Sequence, residues 1–226
     1  MRGVYPAVPL ASTVMTELSY LELVDQVARS QGAVERSVAA LTEERARQPS
    51  LLPGWTRGHV VTHLARNADA HHRFAKAVVS GAPMTEMYPG GPEARAAGIE
   101  EGADRPVALL AGDVAFAGRR VIVALRAVTP DRYGTTVPWR RPVPASHLPV
   151  LRWRELEIHH VDLGVGYTPS DWPDAFVAHT LATELPALRE AAPDVGPPEL
   201  PDRELLAWLL GRPTRDGLPE LPAWPF

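Results

Sequence analysis

Glu155 and His159 stand four residues apart in Arg152-Trp153-Arg154-Glu155-Leu156-Glu157-Ile158-His159-His160-Val161-Asp162-Leu163. No proline or glycine interrupts this stretch, so it reads as a continuous helix. At about 3.6 residues per turn the carboxylate and the imidazole then share one face. A pair so placed can take hold of one divalent metal ion from a single helix. The same spacing also describes an ordinary surface pair, which stabilises a helix by only about 0.2–0.5 kcal/mol. Far upstream, Trp55-Thr56-Arg57-Gly58-His59-Val60-Val61-Thr62-His63-Leu64-Ala65-Arg66-Asn67-Ala68-Asp69-Ala70 repeats the interval with His59 and His63. Spacing alone leaves open whether either histidine faces a metal or is satisfied by a backbone or carboxylate partner.

Composition limits what these residues can do. The 226 residues include no cysteine, which excludes disulfides, thiolate metal sites and a cysteine nucleophile. Any thiol chemistry needs a thiol from outside, and the absence of cysteine fits a cytoplasmic location. A net charge of −4 argues against a nucleic-acid partner, whose binding surface should be basic. No run of eighteen apolar residues suggests a membrane span. Neither a Gly-rich phosphate loop nor a Gly-x-Ser-x-Gly elbow is present.

The elements that must position these residues read as helices. Leu18, Leu21, Val24, Val27, Val34, Val38 and Leu41 recur at three- and four-residue steps, predicting a helix over about 17–46. Thr56 is the expected N-cap of a second helix ending near Ser80, before Gly81 and Pro83. After a loop over 84–91, an Ala- and Val-rich helical region runs from Pro92 to Val128, with a break expected within 102–106. A long proline-spotted connection, 130–149, carries Trp139, Arg140 and Arg141; segments of this length often line a site, although these residues also suit a solvated loop. The helix bearing Glu155 and His159 follows over about 147–164, and shorter helices are expected over 172–191 and 202–212. The predicted organisation is an extension without order over 1–14, a four-helix bundle over 15–165 and a small C-terminal domain, α or α+β, over 166–226. Bundle cores commonly build metal sites from facing helices.

Three segments together carry a resemblance. Leu52-Pro53-Gly54-Trp55-Thr56-Arg57-Gly58-His59-Val60-Val61-Thr62-His63-Leu64-Ala65-Arg66-Asn67-Ala68-Asp69, Arg154-Glu155-Leu156-Glu157-Ile158-His159-His160-Val161-Asp162-Leu163, and Trp208-Leu209-Leu210-Gly211-Arg212 with Gly217-Leu218-Pro219-Glu220-Leu221-Pro222 resemble the mycothiol-dependent maleylpyruvate isomerase family, in its order. The resemblance implies a mainly α fold, a DinB-like four-helix bundle with a smaller C-terminal domain. It implies a zinc ion held by His63, Glu155 and His159, with His59 and His160 outside the ligand set. Three N/O ligands leave room for water or substrate, as in catalytic rather than structural zinc sites. The C-terminal segment departs from the family in being short for a full α/β module.

The implied chemistry is cis–trans isomerisation of maleylpyruvate, or a related cis-enoyl acid. Addition of a thiolate to the double bond leaves a single bond free to rotate, and elimination restores the double bond. The resemblance names the external thiol as mycothiol. The substrate is a dianion, so arginines should line its site: Arg212 is the catalytic and substrate-binding candidate, and Arg95 a second substrate-binding candidate. An S-transferase that joins mycothiol to an electrophile would use the same residues. A non-enzymatic metal-binding interaction module is the third alternative.

Overall fold

The structure, a computed structural model, describes residues 18–139 and 142–221. The extension expected over the first fourteen residues, and Arg140 and Arg141, lie outside the described residues. Helix α1, Tyr20–Ala39, begins where Ser19 and Glu22 form a reciprocal capping box. The single helix expected over 17–46 is two: a five-residue α2, Glu43–Arg47, follows a break. The break arises because the Thr42 side chain accepts the Arg45 backbone N–H, capping a new helix instead of continuing the old one.

Helix α3, Arg57–Ser80, starts at Thr56, as the sequence predicts, and stops at Gly81, whose φ of 69° lies in the left-handed region. The next helical region is α4, Gly91–Ala103, and α5, Val107–Arg126, parted at Asp104–Pro106 within the expected break. The connection after α5 is not featureless. It holds an antiparallel pair, β1 Thr136–Pro138 and β2 Pro142–Pro144, with Val137 opposite Val143. Helix α6, Leu148–Asp162, carries the Glu155/His159 pair.

Helices α1, α3, α5 and α6 form a four-helix bundle in which α1 and α3 each pack against both α5 and α6. Its core is aliphatic, with Val24, Val27, Val60, Leu64, Leu110, Val121 and Leu156 fully buried. Beyond it, α7, Asp174–Ala191, keeps Pro186 inside the helix, and α8, Asp202–Leu209, packs on α7. The described residues after 165 form no strand. This part is anchored on α6 by aromatic rings: Phe176 packs edge-on to Trp153 and Trp172, and the Trp172 indole N–H donates to the Glu157 carbonyl at 3.1 Å. No described helix is long and apolar enough to cross a membrane.

Candidate metal centre

His63 lies in the second turn of α3, facing the pair on α6. Its Nε2 is 3.0 Å from Glu155 Oε2, and His159 Nε2 is 3.6 Å from the same oxygen. The three donor atoms all lie within 4.8 Å of one another. Two donors bound tetrahedrally at about 2.0–2.2 Å from one ion stand roughly 3.4 Å apart, so the observed separations bracket what a metal requires. The histidine rings meet edge to face at 4.5 Å, and Trp55 from the turn before α3 flanks His63 at 5.7 Å. The donor set, two imidazoles and a carboxylate with no thiolate, suits zinc and leaves coordination positions for a ligand.

Electrostatics favour the ligand forms. Burial holds the His63 imidazole down to about 4, so it is neutral at neutral pH and has a lone pair to donate. Burial alone would raise the Glu155 carboxyl, but the His63 hydrogen bond and the surrounding imidazoles outweigh it and hold the group well below the usual carboxylate range.

A carboxylate behind His159 completes the arrangement. Asp162 is 1% exposed, and its Oδ2 lies 2.8 Å from His159 Nδ1. This contact fixes the tautomer that turns Nε2 toward Glu155, the support metal-bound histidines commonly receive. Burial pushes the Asp162 carboxyl up, and its bonds to His159 and Arg212 more than reverse the effect. The sequence reading assigned Asp162 no role. The signal was present, since a carboxylate three residues after a helical histidine can reach it.

Arg212 takes Asp162 in a two-pronged bond, Nε to Oδ1 at 3.0 Å and Nη2 to Oδ2 at 2.7 Å. It thus stands one side chain behind His159, on the wall of a cleft of about 380 Å³ that Leu51, Leu52, Tyr167, Thr168 and Gly211 also line. Arg95, on α4, donates from Nη2 to His63 Nδ1 at 3.1 Å, with its guanidinium over the Tyr88 ring. That bond needs Nδ1 as an acceptor. Coordination through Nε2 leaves the proton on Nδ1, so the Arg95 contact and a metal on Nε2 exclude one another.

The remaining sequence candidates fall elsewhere. His59 closes the cap of α3, accepting the Thr56 backbone N–H at Nδ1 and meeting Glu100 at Nε2. His160 stacks on Tyr167 with ring centres 3.8 Å apart and contacts Ser37. Trp139 packs against the buried His71 and Phe74, away from solvent-loop behaviour.

Two comparisons with known proteins bear on the family and the fold. The family described as the mycothiol maleylpyruvate isomerase N-terminal domain matches residues 27–164, more than half of the chain. A crystal structure of a mycothiol-dependent maleylpyruvate isomerase is similar at 27% identity and a TM-score of 0.80, covering 93% of this chain and 100% of that one. A crystal structure of a histidine-to-alanine mutant of a mycothiol-dependent maleylpyruvate isomerase is similar at 26% identity and a TM-score of 0.79, with the same coverage. No curated protein matches this chain. With the bundle, the order of the helices and the family's sequence pattern in agreement, the chain belongs to the mycothiol-dependent maleylpyruvate isomerase family.

Proposed function

We propose that this protein is a metal- and mycothiol-dependent enzyme that interconverts cis and trans forms of maleylpyruvate or a closely related enoyl acid. The observation that carries this reading is the convergence of His63, Glu155 and His159 into a three-donor site in a chain without cysteine. In this reading the three side chains hold zinc, which when bound supplies Lewis acidity, to the thiol sulfur or to a substrate oxygen. Mycothiol supplies the nucleophile that the chain lacks, and it leaves unchanged at the end of each cycle.

The chain's own residues bind, orient and balance charge. Asp162 holds the His159 ring in register. Arg95, once displaced from His63, is free to meet a substrate carboxylate beside the centre. Arg212 stands on the cleft wall with its charge balanced by Asp162, which engages its fork. The small C-terminal unit, through Gly211 and Arg212, closes one side of that cleft.

The test supplies zinc and thiol independently to purified metal-free protein and follows loss of the cis substrate by absorbance, with a parallel titration of free thiol. Turnover only with both, mycothiol outperforming glutathione, and no net thiol consumption is the expected result. Turnover without thiol would overturn the reading. Thiol consumed in proportion to product would reassign the protein as an S-transferase.

A further inference from the structure

The bundle interior holds a charge to which the chemistry above gives no task. Arg152, on α6, is 0% exposed, and every acceptor it meets is neutral. Nη1 donates to the Leu64 carbonyl at 3.1 Å and to Asn67 Oδ1 at 2.7 Å, and Nη2 donates to Gln31 Oε1 at 3.0 Å. Burial draws its guanidinium down to about 10, with Glu155 as the strongest opposing anion, so it is charged at neutral pH. A buried cation met only by neutral acceptors is expensive to desolvate, because no carboxylate offsets the cost of taking the charge out of water. Packing alone therefore does not account for an arginine here.

Its position does. Asn67 stands four residues after His63 on α3, and Arg152 three residues before Glu155 on α6, so each shares a face with a metal donor. Two rungs then join the same pair of helices, His63 to Glu155 and, one turn along, Asn67 to Arg152. A third point ties in α1. The Gln31 amide that receives Arg152 is itself oriented by donating to the Val114 carbonyl at 3.1 Å and to Glu35 at 2.9 Å. It sits where a side chain at Gly118 would have to be, since a Cβ there would lie 2.3 Å from the amide carbon.

We propose that Arg152 is a positioning residue of the metal centre. Its rung to Asn67 sets the spacing and register of α3 against α6, so that His63 reaches the ion held by Glu155 and His159. A charge-assisted bond is stronger and shorter than a neutral one, and a planar fork resists sliding where a flexible ammonium does not. The proposal rests on the metal-centre reading.

Zinc affinity of the metal-free protein, measured by competition with a chromophoric chelator, separates the two ideas when paired with urea unfolding of the same samples. Arg152→Met, which leaves the Leu64, Asn67 and Gln31 oxygens without their donor, should stay folded with a lowered urea midpoint and bind zinc at least tenfold more weakly. Arg152→Lys, keeping charge without the fork, should fall between. Arg152→Met combined with Asn67→Leu should bind no more weakly than Arg152→Met alone, because both break one rung. A folded Arg152→Met protein with zinc affinity within twofold of wild type would overturn the proposal. Should that variant not fold, Asn67→Leu decides alone: tenfold weaker binding supports the rung, and unchanged binding refutes it. Wild-type protein that binds no zinc would instead overturn the metal centre itself.

Discussion

Replacing Asp162 with Asn should weaken metal binding without touching a ligand. The carboxylate is 1% exposed and accepts from His159 Nδ1 at 2.8 Å and from Arg212 at 2.7 and 3.0 Å. An amide of the same shape can accept at one end only, and its NH2 end must then face either the imidazole N–H or the guanidinium. Loss of such a carboxylate behind a ligating histidine typically costs about 10–100-fold in metal affinity, or about 1.4–2.7 kcal/mol at 1.36 kcal/mol per tenfold. Stability should fall too, by roughly 1–2 kcal/mol, because charge-assisted bonds to a buried carboxylate are lost, a loss held down by the solvation that the partly exposed Arg212 recovers. These effects separate through Arg212→Met, which breaks the same ion pair but leaves the His159–Asp162 bond. That control should lose similar stability and keep its zinc affinity within about threefold. Chelator competition and urea unfolding on the wild type and both variants give the readouts. Equal zinc affinity in Asp162→Asn and the wild type would refute the orienting role, and parallel losses in both variants would make Asp162 a structural anchor only.

Three further outcomes are expected. His63→Ala should reduce bound zinc to trace levels by elemental analysis while the helical circular dichroism signal is kept, because removing one of three ligands leaves too few to hold the ion. Arg95→Met should tighten zinc binding about two- to tenfold in the same competition assay, since it removes a contact with His63 Nδ1 that coordination must break; weaker binding would sink this competition. In metal-free protein, burial holds the His71 imidazole down to about 4, so the folded state stays neutral while the unfolded state gains a proton below about 6.5. Stability from this group is therefore present above pH 6.5 and lost as the pH falls toward 4, and His71→Gln should flatten the unfolding free energy from urea titrations between pH 6.5 and 4 by one proton's slope, about 1.4 kcal/mol per pH unit.

The fold was legible wherever local chemistry decided the outcome. Thr56, Gly81 and the break before Pro106 act on backbone groups within a few residues, so α3 and the α4–α5 boundary fall where the sequence puts them. The Thr42 cap is hidden because the apolar period runs up to Leu41 and the good helix formers Glu43–Arg47 follow without a glycine or proline between. The site divides along the same line. Glu155 and His159 pair by helical spacing, but nothing local distinguishes His63 from His59; the resemblance had to supply that choice. In the structure His59 turns back to the cap of α3 and His63 turns into the bundle. Arg152 and Asp162 escaped notice because arginine and aspartate in a helix ordinarily mark its wet face, and only the tertiary packing shows both to be buried.

Charge at the centre bears on which chemistry it suits. A divalent ion held by Glu155 and two neutral imidazoles is only half neutralised by its protein ligands. Arg152 adds to the excess, opposed in part by Asp69, whereas Arg212 and Asp162 cancel one another. In a site of low effective dielectric such an excess is relieved by anionic ligands, and it favours ionised over neutral forms of whatever binds. A free thiol with a pKa of about 8.5 is mostly protonated near neutrality, so this surplus works in the direction a thiol nucleophile needs. It equally favours a dianionic enoyl acid, and the enolate charge that builds as sulfur adds, over an uncharged electrophile. On the proposed reading, a centre with this balance of charge should turn over an acidic substrate better than a neutral one. A neutral ester of the same enoyl acid should accordingly lose most of its kcat/KM, and an ester turned over as well as the acid would refute the electrostatic argument.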